Sequence, residues 1–183
     1  MRDFDEYGLS MCRYQGELFA ESLKYVACST PVFLRRFMYS QTAARMDGNG
    51  FMFESLSVED AIGEIEREFG KSGYGKIKYG REELYWIGYI YRYWAYTEGT
   101  SSKNIYKLVK PDELRQLYVP YHSLDPAAAV ERIKEAKGFE ESSLIKRGVE
   151  ILKRIRYDKL KCKEVCKQVA EAESRYVPLI PEK

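Results

Sequence analysis

Histidine is almost missing from this chain. Its 183 residues include one, His122, with two tryptophans, six prolines and four cysteines. A structural zinc site takes four Cys or His ligands, so one distant histidine leaves little to build it from. No metal and no cofactor is expected. Long apolar runs are lacking too. The longest, Tyr85 to Tyr91, falls far short of the roughly 20 residues that span a bilayer. The charges nearly cancel, with 30 basic against 28 acidic residues and a net +2. That balance argues against a chain that binds nucleic acid or a membrane surface along its whole length.

The first ten residues, MRDFDEYGLS, are acidic and lack the basic start and apolar stretch of a secretory signal. Without that context, Cys12, Cys28, Cys162 and Cys166 read as reduced thiols. A cytoplasmic location is expected, with no membrane partner. Cys162 and Cys166 lie four apart, so one helix face can carry both, but the remaining ligands of a metal site are absent.

What the chain does have is tyrosine, sixteen against eight phenylalanines. Most of its rings therefore carry a hydroxyl that needs water or a partner. Tyrosine is also enriched where proteins meet.

Over most of the chain the apolar spacing is helical. A first helix is expected over Met11–Ala27. Thr30-Pro31 opens a second, with the hydroxyl as cap and proline pre-set for the first turn. Asp47-Gly48-Asn49-Gly50 reads as a turn. Ser57-Val58-Glu59-Asp60 is an acidic capping box, and the stripe Val58, Ala61, Ile62, Ile65 and Phe69 runs behind it to Gly70. Lys71–Gly80 is a loop that forms at most a short hairpin. Further helices are expected over Arg81–Tyr96, from Ser101 or Ser102 as a short helix carrying Ile105 and Leu108, and from Asp125-Pro126 to Gly138, with a short turn from Pro111 through Leu117 that Pro120 closes. A long final helix covers Ser143–Arg175, and the tail is extended. The expectation is a mainly α protein, with a compact helical domain over 1–137 followed by a basic helix and tail over 138–183.

No catalytic constellation assembles. Gly70-Lys71-Ser72 resembles the end of a phosphate-binding loop, but Ile65 stands where the earlier glycine belongs and a helix precedes it instead of a strand. Arg115 and His122 have the Arg-x6-His spacing of HEPN-type ribonucleases. Pro120 between them is expected to break the helical frame that would align them. Between Leu144 and Lys167 nine basic residues face three acidic ones. Lys153, Arg154 and Arg156 lie in this stretch and are candidate nucleic-acid contacts.

One resemblance goes further. It rests on Phe33–Met38 (FLRRFM), Phe69–Gly75 (FGKSGYG), Leu84–Trp94 (LYWIGYIYRYW), Ser101-Ser102-Lys103, Pro120–Pro126 (PYHSLDP) and Glu131-Arg132-Ile133. Over about residues 29–137 the chain resembles a family of small proteins of gut-type Gram-positive bacteria. These are similar to antitoxins encoded beside toxins related to ADP-ribosyltransferases. The resemblance implies a non-catalytic protein that neutralises the product of an adjacent gene by direct binding. Interface cores favour Tyr, Trp and Arg, and Arg35, Arg36, Tyr89, Arg92, Tyr93 and Trp94 supply those types. The alternative is a nucleic-acid-binding accessory protein using the last helix, and a toxin-like nuclease comes third.

Overall fold

A computed structural model describes residues 3–48 and 56–139. The chain divides into two compact units, Met1–Arg132 and Ile133–Lys183. The second is described only to residue 139. The expected final helix, with Lys153, Arg154, Arg156, Cys162 and Cys166, lies outside the described residues.

Eight helices and no strand occur among the described residues: α1 (Glu6–Tyr25), α2 (Thr30–Tyr39), α3 (Gln41–Asp47), α4 (Val58–Phe69), α5 (Arg81–Glu98), α6 (Ser102–Leu108), α7 (Pro111–Tyr121) and α8 (Pro126–Ala136). No described helix is long and apolar enough to cross a membrane. Residues 70–80 are irregular, without a hairpin.

Local chemistry sets the helix ends. Asp5 caps α1 by accepting from Gly8 N at 2.8 Å, so this helix begins five residues earlier than its apolar stripe suggests. Ser57 caps α4, its Oγ accepting from Asp60 N at 3.1 Å. Glu83 reaches back to the N–H of Gly80 at 2.7 Å to open α5. Gly99, at φ +61, closes α5 in the left-handed region. Ser40 ends α2 and also caps α3, accepting from Ala43 N at 3.1 Å.

The core is built on the crossing of α1 and α5. They approach so closely that a Cβ on Gly88 would sit 2.6 Å from the carbonyl oxygen of Gln15. One on Gly8 would strike the Tyr96 ring at the same distance. Around the crossing Phe19 packs edge-on against Phe37, with ring centres 4.9 Å apart, and against Phe33. Met11, Leu18, Leu34, Met38, Ile62, Ile65, Ile87 and Trp94 are among the other buried residues of the interior. Burying each such side chain contributes about 1.5–3 kcal/mol against chain entropy.

A charge sits inside this core. Arg92 is 1% exposed, and its guanidinium donates to Gln15 Oε1 at 2.7 Å, Met46 O at 3.1 Å, Asp47 Oδ1 at 2.9 Å and Ser102 Oγ at 2.9 Å. Asp47 also accepts from the backbone N–H of Ser102 at 2.8 Å. The cluster joins α1, α3, α5 and α6. Burial pulls the Arg92 pKa below its ordinary value, and Asp47 acts against that shift.

Candidate partner-binding groove

The spacing of α2 turns Phe33, Leu34, Phe37 and Met38 inward. It leaves Val32, Arg35, Arg36 and Tyr39, at i, i+3, i+4 and i+7, along the outer side. Opposite stand Phe69, from the end of α4, with Ser72 and Tyr74 from the loop behind it. Together these seven residues line a groove of about 470 Å³. Ser72 also borders a second concavity, about 370 Å³, lined by Tyr25, Ala27, Glu66, Lys71 and Gly73.

Main-chain bonds hold the loop wall in place. The N–H groups of Ser29 and Thr30, unsatisfied by the helix they begin, donate to Tyr74 O at 2.9 Å and Ile77 O at 2.8 Å. Ser29 is the cap residue of α2 and makes no side-chain cap bond. The Thr30 hydroxyl, expected as the cap, instead accepts from Tyr79 N at 3.2 Å. Lys78 Nζ donates to the carbonyls of both Val26 and Cys28 at 2.7 Å. Gly75, at φ +80, lies so close to Ser29 that a Cβ would come within 2.6 Å of the hydroxyl.

The two arginines play different parts. Arg36 Nη1 donates to Gly70 O at 2.7 Å, tying α2 to the end of α4, where a cation is favoured. Arg35 is exposed and makes no hydrogen bond or ion pair to any described residue. Tyr39 lies beside the Tyr106 ring at 5.7 Å and under Lys103 at 5.1 Å. Among the described residues no carboxylate lines the groove, and Tyr74 is 77% exposed at its rim.

Of the interface candidates read from the sequence, only Arg35 and Arg36 lie here. Arg92 and Trp94 are each 1% exposed and belong to the core, so neither offers a contact surface. Tyr93 is buried with its ring 4.8 Å from Phe4. Tyr89 is half-buried near Tyr85, where desolvation raises its pKa to about 12. Tyr39, Phe69, Ser72 and Tyr74 are groove residues that sequence reasoning passed over. The flanking glycines of Tyr74 were the available signal. Phe69, placed on the buried stripe of α4, is 37% exposed at its end.

The frame of Arg115 and His122 also needs correcting. Pro120 does not break it, because α7 runs through Pro120 to Tyr121 and His122 N still bonds Tyr118 O at 2.8 Å. Pro120 forgoes its own bond to the carbonyl four residues back, yet the bonds on either side of it carry the helix to its end at Tyr121. Both side chains have local partners. Arg115 Nε faces Glu83 at 3.3 Å and its guanidinium lies over the Tyr79 ring at 4.5 Å. His122 Nδ1 lies 3.1 Å from Tyr118 O and 3.0 Å from Val119 O. Among the described residues no group of three or more His, Cys, Asp or Glu is placed to hold a metal ion.

No family model, curated protein or solved structure matches the chain.

Proposed function

We propose that this chain is a non-catalytic binding protein, an antitoxin that neutralises the toxin of an adjacent gene by stoichiometric association. The observation that carries the reading is the groove between α2 and the 69–74 segment, lined by Arg35, Arg36, Tyr39, Phe69 and Tyr74. Arg and Tyr are types that dominate interface energetics, and here Arg35, Tyr39 and Tyr74 are exposed and Arg36 half-buried. The resemblance adds support. Two of the stretches on which it rests, Phe33–Met38 and Phe69–Gly75, supply most of the two walls.

Co-expression with the neighbouring gene product, titrating one protein against the other and following growth, tests the reading. Rescue saturates near one-to-one if the proposal holds. Rescue by trace amounts would mean an enzyme that reverses the toxin's modification, and absence of both rescue and binding would overturn it. The basic stretch Leu144–Lys167 favours a second reading, an accessory nucleic-acid-binding protein.

A further inference from the structure

We infer that the groove receives an acidic segment of a protein partner, with an apolar or aromatic residue next to the acid, and that Arg35 is the receptor for the carboxylate. The inference rests on the reading of the chain as a binding protein and adds the chemistry of what is bound.

The fold uses carboxylates to hold other arginines. Arg45 pairs with Glu64, Arg81 with Glu17 and Glu21, Arg92 with Asp47, and Arg115 with Glu83. Arg35 has no such partner among the described residues and stands exposed on the groove wall. A guanidinium presents a planar fork that matches a carboxylate with two parallel hydrogen bonds. Arg36 adds a second positive charge while committed to Gly70 O. With two cations and no anion among the described residues of its lining, the groove attracts an entering carboxylate, whereas Glu66 and Lys71 line the second hollow.

The rings define what accompanies the acid. Tyr39, Phe69 and Tyr74 are all exposed at this groove, offering apolar area beside the charge. Shape decides between a compact ligand and a chain segment. The groove is an open trough, and Ser72 borders both it and the second concavity beyond. Two neighbouring hollows along one rim suit an extended segment better than a single small molecule.

Selection of a random peptide display library on the full-length protein tests this without needing the toxin. Peptides with Asp or Glu beside an aromatic or aliphatic residue are expected to be enriched. The best synthetic peptide should lose at least about tenfold in affinity when its acid becomes Lys, and again with Arg35→Gln or Arg35→Glu. Arg35→Glu should recover part of the binding to the Lys peptide. Arg13→Glu, an exposed change on α1, should leave affinity unchanged, and unaltered melting temperatures exclude misfolding. Selection without an acidic preference, or affinity indifferent to Arg35, overturns the inference. So does adenosine monophosphate binding at the groove while no peptide is selected, which would indicate a small phosphorylated ligand. Rescue of the toxin that survives Arg35→Glu sinks this assignment and leaves the antitoxin reading intact. Selective peptide binding without rescue does the reverse.

Discussion

Arg92 Nη1 lies 2.9 Å from Asp47 Oδ1, joining the buried middle of α5 to the half-buried last residue of α3. Removing one member of such a pair leaves a charge without its partner, which costs more than the pair contributes. Arg92→Met should therefore destabilise the fold by about 3–5 kcal/mol. Arg92→Met combined with Asp47→Asn should cost less than the sum of the two single changes. Urea unfolding of the four proteins in a double-mutant cycle measures the difference. Strict additivity would show that the two residues do not act as a pair.

Gly88 marks where α1 and α5 come closest. Its Cβ would meet backbone, the Gln15 carbonyl, so no side chain can swing aside to relieve the clash. Gly88→Ala should cost about 1–3 kcal/mol through overpacking, although alanine is the better helix former. Gly63→Ala on α4, where an added Cβ meets nothing within 4 Å, should stabilise slightly. Thermal melts of both variants check that the signs are opposite.

Burial raises several acids together. Cys12 moves from an ordinary 9.0 to about 12, and Tyr14 and Tyr89 from 10.0 to about 12. A raised folded-state value means that the unfolded chain loses its proton first as pH climbs. The stability these groups contribute is fully present below about pH 9 and disappears progressively toward pH 12. The urea midpoint should fall across that window. Tyr89→Phe should flatten the fall by removing one titrating group. In a chain with Cys162→Ser and Cys166→Ser, buried Cys12 and Cys28 should resist thiol reagents at pH 8 until the protein unfolds.

Arg115 and His122 share one helical frame, yet Arg115 is engaged by Glu83 and Tyr79 while His122 closes the end of α7. Ribonuclease assays of the purified protein should show no activity that His122→Ala removes. Arg115→Ala should lower the melting point modestly by freeing Glu83. Cleavage abolished by either change in a folded protein would promote the nuclease reading.

The basic stretch separates the two leading functions through salt. If it binds nucleic acid, affinity should fall log-linearly with salt as counterions are released. Reversing Lys153, Arg154 and Arg156 to Glu should then abolish binding. Only weak, sequence-indifferent retention is expected, so tight binding near physiological salt would favour the accessory-protein reading.

Local patterns carried most of the helical plan. The capping box at Ser57 and the proline start at Pro126 placed α4 and α8 because a cap and a stripe coincide within a few residues. The break at Ser40 was hidden, since one residue both ends α2 and begins α3, and the apolar spacing runs on across it. Arg92 was misread for a different reason. Its partners Gln15 and Asp47 lie 77 and 45 positions away, and no local pattern announces a charge satisfied at that range. The groove was half legible. Helical spacing turned Arg35 and Arg36 outward, but the facing wall depends on long-range bonds such as Tyr79 N to Thr30, 49 positions apart.

The loop that walls the groove hangs from main-chain bonds, with Tyr74 at the rim and Ile77 beyond it giving their carbonyls to the start of α2 while their side chains stand in solvent. Any residue has a carbonyl, so the loop keeps its course whatever side chain stands at 74 or 77. Lineages can therefore replace those side chains and change partner without passing through an unstable intermediate. Gly75 has no such latitude, because its φ and its closeness to Ser29 exclude other residues. Selection for a new partner should leave its record at Tyr39, Ser72 and Tyr74, beside a glycine that does not change.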